Sequence, residues 1–199
     1  VYDPYYCDGA AERHLRSLGF LAARNPKGAD FYASAEFRNA ADVATFDVLC
    51  ANPPYSGTHK ERCLAFAARC GRPWLLLLPA YVADKAYFAD AAPEGSWFAV
   101  LPRSTKNYAF DHPHGAGRPE TPFRAAWFVG GVGPTATVDA LFARLTSRLG
   151  RRDDTDVLLC RDRAALVAAD AVRGLKNRRN PRQRAAARKK LQHRATCVS

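Results

Sequence analysis

Methionine is absent from this chain, and none of its six cysteines stands in a Cys-x-x-Cys pair. The cysteines lie at 7, 50, 63, 70, 160 and 197, mostly within apolar segments. Such scatter argues against a zinc knuckle or a disulfide framework and predicts reduced core thiols in an intracellular protein. His112 and His114 flank a proline in a Pro/Gly-rich loop. Without further ligands they read as loop residues, and no metal is expected. No apolar run approaches the ~20 residues of a membrane span, so no membrane partner is expected. The longest run, Trp74 to Leu78, reads as a buried strand. No basic-apolar leader opens the sequence. The chain starts inside an expected strand, Val1 to Asp3, which predicts that a longer protein extends upstream.

Acidic residues are missing from 173–199, which carries ten of the 30 Lys and Arg residues. The net charge of +11 therefore belongs almost wholly to the tail, and the body is close to neutral. A polycationic tail suits nucleic acid, another polyanion or nuclear import. The plainer alternative is a solvated, disordered end, or a helix formed on binding.

With 199 residues and 48% hydrophobic content, one domain with an appendage is expected. Strands are expected at Val1–Tyr6, Phe20–Ala23, Phe46–Ala51, Pro73–Pro79, Trp97–Leu101, Ala125–Val129 and Val157–Cys160. Helices are expected at Ala10–Leu18, with Leu15 and Leu18 on one face, and at Lys60–Cys70, with Cys63, Leu64, Ala67 and Ala68 buried. Tyr81–Ala92, Thr137–Leu149 and Arg163–Leu175 complete the helical set. Strands alternating with helices predict an α/β fold with a doubly wound, mostly parallel, Rossmann-like sheet. The domain reading is a catalytic unit over 1–133, a helical extension over 134–175 and a basic tail over 176–199.

The strand Phe46–Ala51 runs into Asn52-Pro53-Pro54-Tyr55 and then Ser56-Gly57. An amide, a rigid carbonyl and a flat ring thus share one strand tip. An exocyclic amino nitrogen conjugated to a ring is a poor nucleophile. Hydrogen bonds from its two N–H groups to two acceptors draw it towards a tetrahedral shape and localise its lone pair. The Asn52 side-chain oxygen and the Pro53 carbonyl can be those acceptors. Pro53 and Pro54 fix φ and hold the loop ready, and Tyr55 can stack on the substrate plane. The alternative is a surface turn or polyproline contact.

The segment Phe46–Tyr55 resembles the catalytic strand and loop of class I S-adenosylmethionine-dependent amino-methyltransferases. Relatives with Asn-Pro-Pro-Tyr methylate adenine N6 in DNA or RNA, or the glutamine amide of release factors. Asp3-Pro4-Tyr5-Tyr6-Cys7-Asp8-Gly9 is similar to their first loop, often Asp-Pro-Phe-x-Gly-x-Gly, and Ala29-Asp30-Phe31 to their adenine-contacting segment. The resemblance covers about residues 1–130 and implies an S-adenosylmethionine site built from Asp3, Pro4, Tyr5, Asp8, Gly9, Asp30 and Phe31. Asp3 or Asp8 would hold the cofactor's amino group or a water, and Gly9 would allow close approach. Asp30 would accept from the adenine amino group, with Phe31 on its ring. The alternatives are turn caps for the acids and a core position for Phe31. Only Gly9 survives of the family's glycines. Arg24-Asn25 stands where an acid for the ribose hydroxyls is expected.

The 102–124 segment is long and rich in Pro, Gly, His and aromatics, as functional connections often are. Tyr108 and Phe110 can close the other face of a base swung out of its stack, or simply pack the loop. Arg103, Lys106 and Arg118 suit phosphates or solvent equally. The leading expectation is methylation of adenine N6 in nucleic acid. The alternatives are a protein glutamine N5-methyltransferase and a catalytically silent nucleic-acid-binding module.

Overall fold

A computed structural model describes residues 1–28, 30–39, 45–103, 123–149 and 156–171. Helix α1 spans Ala10–Ser17, a 3-10 turn Phe31–Ala33 and α2 Ala35–Arg38. Strand β1 (Leu49–Ala51) leads to α3 (His59–Arg69), and β2 (Trp74–Pro79) to a 3-10 turn at Ala80–Asp84 and α4 (Ala86–Ala91). Then come β3 (Trp97–Pro102), β4 (Ala125–Gly130), α5 (Thr135–Leu149), β5 (Val157–Cys160) and α6 (Arg163–Ala171).

The fold is α/β, with strand order β1-β2-β4-β3-β5. β1 and β2 pair in parallel. The expected mostly parallel sheet is corrected beyond that pair, because β4 runs antiparallel to both β2 and β3, and β5 antiparallel to β3. The cause is the connection. β3 ends at Pro102 on the edge where β4 begins at Ala125, so the chain returns with reversed direction. Parallel neighbours would instead need a crossover. Val157–Cys160 joins this same sheet through β3.

The first expected strand, Val1–Tyr6, shrinks to a bridge at Tyr2, and the second, Phe20–Ala23, gives way to a turn followed by a bridge at Arg24. Tyr2 bridges Arg24 on one side and Leu49 on the other, both in parallel. Asp3 donates its N–H to the Arg24 carbonyl, but Pro4 has no N–H and pairing stops. Chain order along this end is therefore 24, 2, 49 and then β2. The chain leaves Tyr2 to one side and returns on the other. A reversal of this kind opens a crevice beyond the strands' carboxyl ends.

Alternation along the strands sorts the core onto two faces. Trp97, Ala99 and Leu101 of β3 share a cluster with Leu76, Leu78, Phe128 and the α3 residues Cys63, Leu64, Phe66 and Ala67. Phe98 and Val129 turn the other way, onto Val138, Leu141 and Phe142 of α5. Helix α3 therefore buries Phe66 in place of the expected Ala68, which is exposed. Helix α1 buries no residue, and Leu18 beyond it is 74% exposed, against the expectation of an apolar inner face.

The closest backbone approach is at Gly130, where an added Cβ would fall inside the Trp74 indole. Trp74 is itself buried beneath that glycine. Gly130→Ala is expected to cost about 3 kcal/mol through overpacking, seen as a lower urea midpoint at unchanged slope. Gly19→Ala is the control. Its added Cβ meets nothing within 4 Å at φ +93°, so only backbone strain is added there, costing about 1 kcal/mol.

Candidate active site

Asn52, Pro53, Pro54 and Tyr55 leave β1 at its carboxyl end. Asn52 is exposed, and its amide makes no hydrogen bond among the described residues. Pro53 is buried and Pro54 exposed. Neither proline has an N–H to give, so the tip is held by side-chain bonds from its far end. The Tyr55 hydroxyl donates to the Leu77 carbonyl of β2 at 3.2 Å. The Lys60 ammonium donates to the Tyr55 carbonyl. Lys60 is 8% exposed in the first turn of α3. A cation at that helix end opposes the helix dipole, so its burial there marks a bond the loop relies on. Lys60 was missed in the sequence, although a lysine so placed is the signal that finds it.

Phe123 was also missed. It closes the long connection and meets Tyr55 edge-on, with ring centroids 5.5 Å apart. The return end of the 102–124 segment therefore touches the Asn52–Tyr55 motif. Tyr108 and Phe110, like Lys106, Arg118, His112 and His114, lie outside the described residues. Arg103 is exposed at the start of the same segment.

Asp3, Pro4 and Tyr5 sit at the tip beside β1. Asp3 is 6% exposed and accepts the Tyr5 N–H at 3.0 Å. Burial pushes its carboxyl up to about 7, against the opposing pull of that N–H. Pro4 is buried. The Tyr5 hydroxyl pairs with the Tyr32 hydroxyl at 3.0 Å, and Tyr32 with His59 Nδ1 at 2.8 Å. His59 opens the helix that follows Asn52–Tyr55, so this chain of side chains ties the first loop to the start of that helix. Burial raises the pKa of both phenols, so they remain protonated donors. The Arg62 guanidinium lies 3.6 Å over the Tyr32 ring and holds it from outside.

Asn25 stands beyond the Arg24 bridge. Its amide nitrogen donates to the Asp3 carbonyl at 3.0 Å. Its side-chain oxygen is buried and accepts no hydrogen bond. A buried acceptor left so costs about 1–3 kcal/mol. Neighbouring strand tips thus carry a carboxylate and an orphaned amide oxygen, a donor-hungry pair suited to ammonium or hydroxyl groups. Among the described residues no cluster of three metal-ligating side chains occurs.

The other expected cofactor residues are occupied locally. Asp8 is exposed, accepts the Ala10 N–H at 2.8 Å and pairs with Arg13 at 3.5 Å. The Ala10 N–H first, then Arg13, holds its carboxyl below the usual range. Gly9 takes φ 77° as the cap of α1, and an added Cβ would meet Arg13 at 3.3 Å and Tyr6 at 3.4 Å. Asp30 caps the 3-10 turn through the Tyr32 N–H at 2.9 Å. Phe31 is buried against Tyr2, Tyr5, Phe37 and Phe66, which is the core position allowed for it above.

A separate cleft of about 830 Å³ opens at the opposite edge of the sheet, lined by Glu94, Asp139, Arg161 and Arg163 among others. Its Arg161 is already held by Asp139 at 2.6 Å and by the Trp97 and Gly95 carbonyls. The cleft therefore offers no unspent cation at its centre. The chemistry-bearing tips lie at the other end. No family model, curated protein or solved structure matches the chain.

Proposed function

We propose that this chain is an S-adenosylmethionine-dependent methyltransferase acting on an exocyclic amino group, adenine N6 of a nucleic acid. The observation that carries this reading is the meeting of two motifs at one reversal of strand order. Asp3–Tyr5 leaves the Tyr2 bridge, and Asn52–Tyr55 leaves β1, which Tyr2 bridges. That is where α/β sheets hold ligands. The finer fold assignment, a Rossmann-like methyltransferase sheet, rests on the same reversal.

The residues present fit the cofactor's donor groups. The Asp3 carboxylate suits an ammonium, and the Asn25 oxygen suits a hydroxyl. When bound, S-adenosylmethionine supplies a methyl group already activated on sulfur. The chain's own part is positioning. The Asn52 amide oxygen and the Pro53 carbonyl, neither of them taken by a partner among the described residues, accept the two amino N–H bonds. Tyr55 is pinned by Leu77 and Lys60 and forms a wall for the base. No strong general base is required, because the proton leaves after the methyl group has arrived.

Labelled methyl transfer to DNA, structured RNA and release-factor protein tests the reading, and label on the protein alone would redirect it to glutamine. One observation favours a silent binding module instead. The space beside Gly9 is taken by Arg13 and Tyr6. Calorimetry decides between the two, since micromolar affinity for S-adenosylmethionine excludes the silent module.

A further inference from the structure

Three aromatic residues form a chain of edge-on contacts from the Asn52–Tyr55 tip to the surface. Tyr55 is half-buried and meets Phe123, and Phe123 meets Tyr81 edge-on with centroids 6.0 Å apart. Tyr81 is 40% exposed. It follows β2 directly, so it sits at the same carboxyl-end edge as Asn52. The Lys85 ammonium lies 5.9 Å from the Tyr81 ring centroid, and Lys85 is exposed. A large ring this exposed, backed by a second ring and flanked by a cation, is what a stacked base and its phosphate require.

We propose that Tyr55, Phe123 and Tyr81 form a base-stacking track for single-stranded or unstacked nucleic acid, with Tyr81 holding a nucleotide neighbouring the target and Lys85 its phosphate. The track rests on the reading of Tyr55 as a wall of the substrate pocket and narrows the substrate class to strands with accessible bases. An extended peptide carries stackable rings only where its sequence happens to place them, whereas every nucleotide of a single strand carries one, and an intact duplex hides its base faces.

The test is fluorescence anisotropy with the full chain and two labelled single-stranded oligonucleotides of equal length, one carrying bases and one abasic. Any phosphate contact the tail makes is common to both strands, so their difference isolates stacking. Wild type is expected to bind the base-bearing strand about tenfold more tightly than the abasic one, the size of one stacked base. Tyr81→Ala is expected to reduce that difference to what Tyr55 alone contributes, and Tyr81→Trp to keep it, which guards against a folding defect. Lys85→Ala is expected to weaken both strands equally and to lower the salt slope by about one unit. Equal wild-type affinity for the two strands, or an unchanged preference in Tyr81→Ala, overturns the track. So does displacement of the base-bearing strand by a glutamine-bearing peptide. The assay contains no cofactor, so its outcome is independent of whether the chain transfers methyl groups.

Discussion

Asn52→Ala is expected to lower the methyl-transfer rate by about 100- to 1,000-fold, the usual loss when one preorganised polar group at a reacting centre is removed. The loss should appear in kcat more than in KM. Under the proposed reading the amide's bond to the amino group strengthens as that nitrogen becomes tetrahedral, so it favours the transition state over bound substrate. Folding should be untouched. Asn52 is exposed and its side chain holds no other part of the described structure. Oligonucleotide anisotropy and cofactor calorimetry should therefore match wild type. Undiminished transfer by Asn52→Ala removes the amide from the mechanism. Lost transfer with lost cofactor binding would mean that the substitution disturbs the loop as a whole.

The sequence made legible whatever is set by short-range pattern. The apolar run Trp74–Leu78 became a strand buried on both faces, and Trp97–Leu101 alternates between the two core clusters. The strand-to-Asn52 junction survives because Pro53 and Pro54 end pairing wherever they stand. Strand direction was not legible in the second half. It depends on which edge the long connection returns to, and no local spacing encodes that. Contacts between distant segments were equally hidden. Tyr55 reaches Leu77 and Phe123, and Asn25 reaches Asp3, through folding alone. Asp30 and Phe31 show the opposite difficulty. A turn acid and a core phenylalanine carry the same letters as an adenine contact, and only burial separates them.

Asp3 carries the second large effect, one of stability against pH. Its carboxyl titrates near 3.8 when unfolded and near 7 when folded, because burial disfavours its charge. A raised folded pKa stabilises the protein fully below the unfolded value. That stability drains away as pH rises from about 4 to about 7, since the unfolded chain has released its proton and the folded chain has not. The shift corresponds to about 4 kcal/mol at about 1.4 kcal/mol per pH unit. Asp3→Asn keeps an oxygen for the Tyr5 N–H and removes the charge. Its stability in urea is expected to be flat across this interval, and to exceed wild type above pH 8 by up to that amount. Such a cost is offset where a ligand uses the charge. Under the proposed reading the use is the cofactor's ammonium, which binds the ionised form. Cofactor affinity of wild type should then rise with pH up to about 7, by as much as tenfold per unit, and level off above. Asp3→Asn should bind weakly at every pH. A mutant that is both more stable and equally tight for cofactor would show the buried carboxylate to be a structural burden without a ligand.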